Sequence, residues 1–244
     1  MLIKRILYYS LVLFFSISIL SQYTLTQELT PKERKSIATK LVPVITFILF
    51  DNGYSSLKKT GQTKSYDQYG NVVTYGSIKD DGYYQKGINP KYTRDNSKEV
   101  VIDYITNLMW QDNSIVQTLA KPWLTQQNYD KCTGSNGQTQ DISKCYDTSG
   151  DTAATYCTNL TLGGYSDWRL PTQKELRSII NYGKSHPALD SKFKNISPSI
   201  YWSSTHNSEG YAKEWAWAVS YDDGTDYDSY KDRTWNVCCV RNNK

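Results

Sequence analysis

The stretch 163–183, GGYSDWRLPTQKELRSIINYG, constrains the fold of this chain more than any other. Thr172 followed three residues later by Glu175 reads as a capping box, in which each side chain takes up the other residue's backbone N–H. Pro171 stands just before the cap, placed to pack on Leu176 as a hydrophobic staple. Leu176, Ile179 and Ile180 share one helical face, and Lys174, Arg177 and Asn181 share the opposite one. Gly183 is placed to end the helix in a left-handed conformation. The pattern predicts a short amphipathic helix with a basic outer face, entered through a rigid Arg169-Leu170-Pro171 turn.

The flanking chain supplies the layers for such a helix. Residues 100–105 read as a strand, and Leu108, Met109 and Trp110 form a second apolar cluster with Trp110 in the core. Asp151 is placed to cap a helix over 152–160, on which Ala153, Tyr156, Cys157 and Leu160 share a face, so Cys157 points inward. Residues 200–202 read as a strand. Trp215, Trp217, Val219 and Tyr221 alternate with Ala216, Ala218 and Ser220, the period of a strand with one bulky and one small face. Asp222-Asp223-Gly224-Thr225 is a hairpin turn. The return strand ends near Tyr230, and 235–241 reads as the last strand. Residues 121–147 form an insertion carrying Trp123.

Three parts are expected: a signal segment (1–26), a small β-rich extension (27–99) and a main domain (100–244). Lys4 and Arg5 followed by the apolar run 6–20 match a secretory signal, shorter than the ~18–20 residues of a membrane span. Ser21 and Thr26 are the candidate cleavage points. Residues 41–50 (LVPVITFILF) read as a buried strand or a packing segment. Between 51 and 94, turns at 51–53, 69–71 and 80–82 bracket short strands such as 71–75. Asp80 and Asp81 lack the ligand spacing of a calcium loop and read as a polar turn.

The formal charge of +4 includes Lys4 and Arg5, so a processed chain is near neutral to weakly basic. That argues against nucleic acid, which requires a concentrated basic surface. Twenty-one Tyr and seven Trp against five Phe suit β-structure and wet, ligand-exposed surfaces. The five cysteines form no CxxC pair and the chain has two His, so a structural zinc site is not indicated. Two disulfides and one leftover thiol in an oxidising compartment fit better. A local Cys132–Cys145 bridge suits the polar, turn-rich segment between those residues, which has no core of its own.

VIDYITNLMWQD from Val101, TAATYCTNLTLGGYSDWRLPTQKEL from Thr152, YWSST from Tyr201, AWAVSYDDG from Ala216 and CVR from Cys239 resemble one family in order and spacing. This is the family named for the C-terminal domain of the Legionella collagen-like adhesin. More distantly, YC followed by RLPT-x-x-E is similar to the formylglycine-generating-enzyme superfamily, whose core is like that of C-type lectins. The resemblance implies an α+β, C-type-lectin-like fold, with two helices packed on twisted antiparallel strands. It implies a bridge from the first helix to the last strand, here Cys157–Cys239. Family members commonly carry Arg where this chain has Cys238, which leaves Cys238 as the odd thiol.

Formylglycine chemistry relies on a late cysteine pair and a C-terminal Arg-Gly-Gly-Ser pattern. This chain lacks that pattern, its late Cys238 and Cys239 are adjacent at the end, and no Ser-His-Asp order stands out. No enzyme, catalytic residue, cofactor or metal is therefore expected, with a formylglycine-type oxidase relative as a further alternative. Arg169 is expected to pair with a carboxylate or carbonyls and fix its turn. The resembled family binds sulfated glycosaminoglycans, which implies a cationic surface. The candidate glycan-binding residues are Lys174 and Arg177 on the helix, with Lys184, His186, Lys192 and Lys194 after it. Asp222, Asp223, Asp226 and Asp228 read as an exposed acidic turn, with calcium as the alternative. The chain is thus expected to be an exported adhesin-like module for polysaccharide or host glycan, displayed as a homo-oligomer or cluster. A structural envelope domain is the alternative.

Overall fold

The computed structural model describes residues 57–74, 76–134, 141–208 and 213–243. The expected signal segment, the 41–50 segment and the 51–53 turn lie outside the described residues. The chain divides into two compact units, Met1–Ser55 and Ser56–Lys244, and only the second is described below.

The unit is mixed α+β, with two sheets and few helices. Strands β1 (Tyr92–Asp95), β2 (Val100–Asp103), β3 (Leu108–Gln111) and β9 (Val240–Asn242) lie side by side in that order, all antiparallel. In the second sheet, β4 (Ala120–Pro122), β8 (Thr234–Asn236), β5 (Ile200–His206), β6 (Trp215–Ser220) and β7 (Asp226–Tyr230) are neighbours in that order. There only the β5–β8 pairing is parallel. The helices are α1 (Asp81–Tyr84), α2 (Gln126–Thr133), α3 (Ala153–Asn159) and α4 (Gln173–Arg177).

The central strands of both sheets are packed on both faces, because their consecutive residues fall into two different apolar clusters. Val101, Trp110, Leu176, Ile179, Tyr201, Val219, Tyr221 and Cys238 belong to one. Val100, Met109, Trp123, Trp168, Trp202, Ala216, Ala218 and Cys239 belong to the other. On β6 the small residues are the buried ones: Ala216 and Ala218 are closed off entirely, while Trp215 and Trp217 are half-buried. The expected bulky face is therefore inward only at Val219 and Tyr221.

The expected last strand is two strands. Residues 237–239 leave the second sheet after β8 and enter the first as β9. The crossing is held by Gln111, whose N–H donates to the Cys239 carbonyl at 2.9 Å and whose side-chain oxygen accepts from the Cys239 N–H at 3.1 Å. Cys239 bridges to Cys157 on α3, and Cys132 bridges to Cys145, as expected. Cys238 is the free, fully buried thiol.

Three local expectations are corrected. α3 is capped by Thr152, not Asp151: Thr152 and Thr155 exchange side-chain and backbone bonds in a capping box. Asp151 instead pairs with Lys121. α4 ends at Arg177, with Ser178 as its right-handed cap, so Gly183 does not terminate it. Gly183 has a different constraint, since a Cβ there would lie 2.2 Å from the Gly61 carbonyl oxygen. Of the expected 71–75 strand, residues 71–74 show only an isolated bridge from Val72 to Tyr66.

The first sheet and its contacts also use residues before 100. β1 is the edge strand of the first sheet, and Lys58 forms an ion pair with the buried Asp103. The Lys58 ammonium also donates to Tyr92 Oη at 3.1 Å and to the Ser178 carbonyl at 3.0 Å, joining the extension to the end of α4. Asp80 caps α1 and accepts from Ser65, and Asp81 accepts from Thr60, so both carboxylates have structural partners.

Candidate functional site

The entry to α4 is built from its sequence as expected. Thr172 Oγ1 accepts from the Glu175 N–H at 3.3 Å, and Glu175 accepts from the Thr172 N–H at 2.8 Å. The same carboxylate accepts from both terminal guanidinium nitrogens of Arg169, at 2.7 and 2.6 Å. Burial alone would raise the Glu175 carboxyl; Arg169 and Thr172 outweigh it and hold its pKa below the ordinary range. Arg169 is further fixed by backbone pairing with Val240 of β9. It is a turn-fixing residue, committed to its carboxylate.

With the turn fixed and Leu176 buried, Lys174 and Arg177 are exposed. Arg177 lies 3.3 Å from Asp226 at the start of β7. His186 pairs with Asp222 in the β6–β7 turn. The hairpin therefore engages two of the six candidate residues, Arg177 and His186. Lys192 and Lys194 flank the buried Phe193, and their loop is held elsewhere: the N–H groups of Lys194 and Asn195 donate to the buried Asp112 at 3.1 and 2.9 Å. Lys174, Lys184, Lys192 and Lys194 are exposed and form no ion pair among the described residues.

The hairpin carboxylates have protein partners. Besides the pairs of Asp222 and Asp226, Asp223 accepts from the Thr225 hydroxyl at 2.7 Å and Asp228 accepts from the Asn207 amide at 3.2 Å. Gly224 supplies the left-handed residue of the turn (φ +87°), and Ile180 and Tyr182 crowd the space where a Cβ would stand. Among the described residues, no group of three or more His, Cys, Asp and Glu side chains could hold a metal ion.

One charged residue with a large structural role has no local signature. Lys231 follows β7 beside the charged Asp232 and Arg233, yet it is fully buried. Its ammonium donates to the carbonyls of Cys145 at 2.7 Å and Lys213 at 2.6 Å, and stands over the rings of Trp123 and Tyr146. Burial lowers its pKa to about 8, against the opposing attraction of Glu214. Tyr146 also meets His206 edge-on, and burial together with Lys231 lowers the His206 pKa.

Two sheets, one disulfide from α3 to the crossing between them and another within the inserted segment, with no described helix long and apolar enough to cross a membrane, define a disulfide-stabilised α+β module. The family model for the Lcl C-terminal domain matches residues 99–241, more than half of the chain, and the chain belongs to that family. The family is of adhesin type, which with the disulfides points to an extracellular or cell-surface setting. No match was found among curated proteins.

Proposed function

We propose that this chain is an exported, C-type-lectin-like adhesin module that binds anionic, glycosaminoglycan-like polysaccharide through cations on and after α4. The observation that carries the reading is the set of four exposed lysines, Lys174, Lys184, Lys192 and Lys194, left without carboxylate partners among the described residues. Arg177 adds a guanidinium shared with Asp226, with donors left over for an anionic group. His186 is held by Asp222 and acts as a rim group. Family membership supports an adhesive role. The bridge from Cys157 on α3 to Cys239 beside the last strand supports the lectin-like reading.

Exposed charges act weakly and are screened beyond about 8–10 Å at physiological ionic strength. Affinity per copy is accordingly low, and oligomers or clustered display supply avidity. Catalysis, cofactor and nucleic acid have no place in this reading.

Retention on immobilised heparin at low salt tests it. Wild type is expected to be retained, and Lys174→Ala/Lys184→Ala to elute at lower salt. Arg177→Ala is expected to shift elution less, because Asp226 already shares its charge. Flow-through of wild type would leave the envelope-structural role as the better account.

A further inference from the structure

Among the described residues, the β7 edge of the second sheet is left unpaired. β7 is terminal and pairs only with β6 among the described residues, in a continuous register from Trp215↔Tyr230 to Val219↔Asp226. The Ser220 N–H donates to the Thr225 carbonyl at 2.9 Å, and the Lys231 N–H to the Glu214 carbonyl at 2.8 Å. Antiparallel alternation then turns the backbone groups of Tyr227 and Ser229 towards β6, and those of Asp226, Asp228 and Tyr230 outward. Arg233 uses the outward carbonyl of Tyr230. The N–H and C=O of Asp226 and Asp228 face away from the sheet.

Edges of this kind are commonly blunted by lysine, proline or a bulge. β7, DYDSY, has none of these. It has instead two carboxylates on one face and two tyrosines, Tyr227 and Tyr230, that are 43% and 41% exposed. Asp222 and Asp223 extend the negative charge into the turn. This pattern opposes a second copy: antiparallel self-pairing centred on Asp228 sets that carboxylate against itself, and pairing centred on Tyr227 sets Asp226 against Asp228.

We propose that the β7 edge is a docking strand for an extended, basic segment of a partner protein, which adds to the sheet as a sixth strand. Backbone bonds to Asp226 and Asp228 supply the pairing, as in strand-addition recognition. Lys or Arg on the partner meets Asp228 and joins Arg177 at Asp226, and Tyr230, on the same strand face as both carboxylates, offers its ring to the cationic side chains. The inference does not rest on polysaccharide binding, and the two surfaces meet only at the Arg177–Asp226 pair.

The probe is a short capped peptide alternating Lys and Val, added to isotope-labelled protein and followed by amide shifts and amide exchange. Perturbation and slowed exchange are expected at Asp226, Asp228 and Tyr230, with no response to the same peptide carrying Glu for Lys. Asp228→Lys removes the charge match. Asp228→Pro removes an outward N–H while leaving the β6 ladder intact. Each is expected to weaken binding about tenfold. A wild-type spectrum without β7 perturbation, an equal response to the acidic peptide, or self-association through β7 would overturn the proposal.

Discussion

The ammonium of Lys231 and the carbonyl oxygen of Cys145 lie 2.7 Å apart, across 86 residues of chain. The backbone repeats the connection: the N–H groups of Trp123 and Leu124 both donate to the Lys231 carbonyl. The inserted segment between β4 and α3 thus docks on the end of the β6–β7 hairpin through one residue. Lys231→Ala leaves two carbonyls without their donor and empties the space beside Trp123 and Tyr146. A loss of about 2–4 kcal/mol is expected in urea unfolding.

The same residue gives a pH dependence of defined sign. Its folded pKa, about 8, lies below the ordinary lysine value of 10.5. Between those values the unfolded chain binds the proton that the folded chain has released, so stability from this group rises with pH. The slope is at most about 1.4 kcal/mol per pH unit, the value for one proton. Above about pH 10 the buried Tyr201, pushed up to about 12, acts oppositely, because only the unfolded chain ionises it there. Burial also raises the Cys238 thiol and the Tyr92 and Tyr221 hydroxyls, which oppose the rise equally in wild type and variant. Wild type is therefore expected to gain stability relative to Lys231→Met from pH 8 to 9.5, and a constant difference between the two profiles would show that the buried amine does not titrate in this range.

Thr172→Ala removes the cap of α4 and is expected to cost about 1 kcal/mol. Glu175→Gln is expected to cost more, about 2–3 kcal/mol, because the carboxylate also neutralises Arg169. Glu175 titrates with a lowered folded pKa. Its contribution is present above the ordinary glutamate range and fades as pH falls through the folded value. Denaturation midpoints of the three proteins at neutral and acid pH check both the order and its convergence in acid.

Bridges close loops of very different length here, with sequence separations of 82 for Cys157–Cys239 and 13 for Cys132–Cys145. Removing the first is expected to cost about 4.5 kcal/mol and the second about 3 kcal/mol on loop-entropy grounds. Cys238, whose thiol pKa burial raises, is expected to resist alkylation until the chain unfolds. Peptide mapping without reduction tests the pairing, and a Cys157–Cys238 peptide would contradict the course of the crossing between β8 and β9.

What was legible in the sequence was local. Thr172 and Glu175 declare their box because both partners lie within one turn. The Asp223-Gly224 turn and the alternation of β6 are likewise short-range signals. The Cys157–Cys239 pairing came through family resemblance. α2 was missed because its buried face is Asn128 and Cys132 rather than an apolar stripe. Its stability comes from a cap at Thr125, a bond from Asn128 to the Asp147 carbonyl and the bridge to Cys145. Thr152 displaced Asp151 as a cap because Thr155 could return the bond, a choice that composition does not decide. The break at 237–239 and the burial of Lys231 depend on partners more than eighty residues away. The candidate cations were legible as residue types. The attachment of Arg177 and His186 to the acidic hairpin was not, since it needs the β6–β7 register.

The polysaccharide account is tested most directly by titrating a sulfated heparin oligosaccharide into the whole chain across a range of salt concentrations. Affinity is expected to fall steadily with salt, and Lys174→Ala and Lys184→Ala each to reduce the logarithmic slope by roughly one, as for loss of a single contact to a polyanion. Binding indifferent to salt, or slopes unchanged by either substitution, would contradict the assignment of this surface.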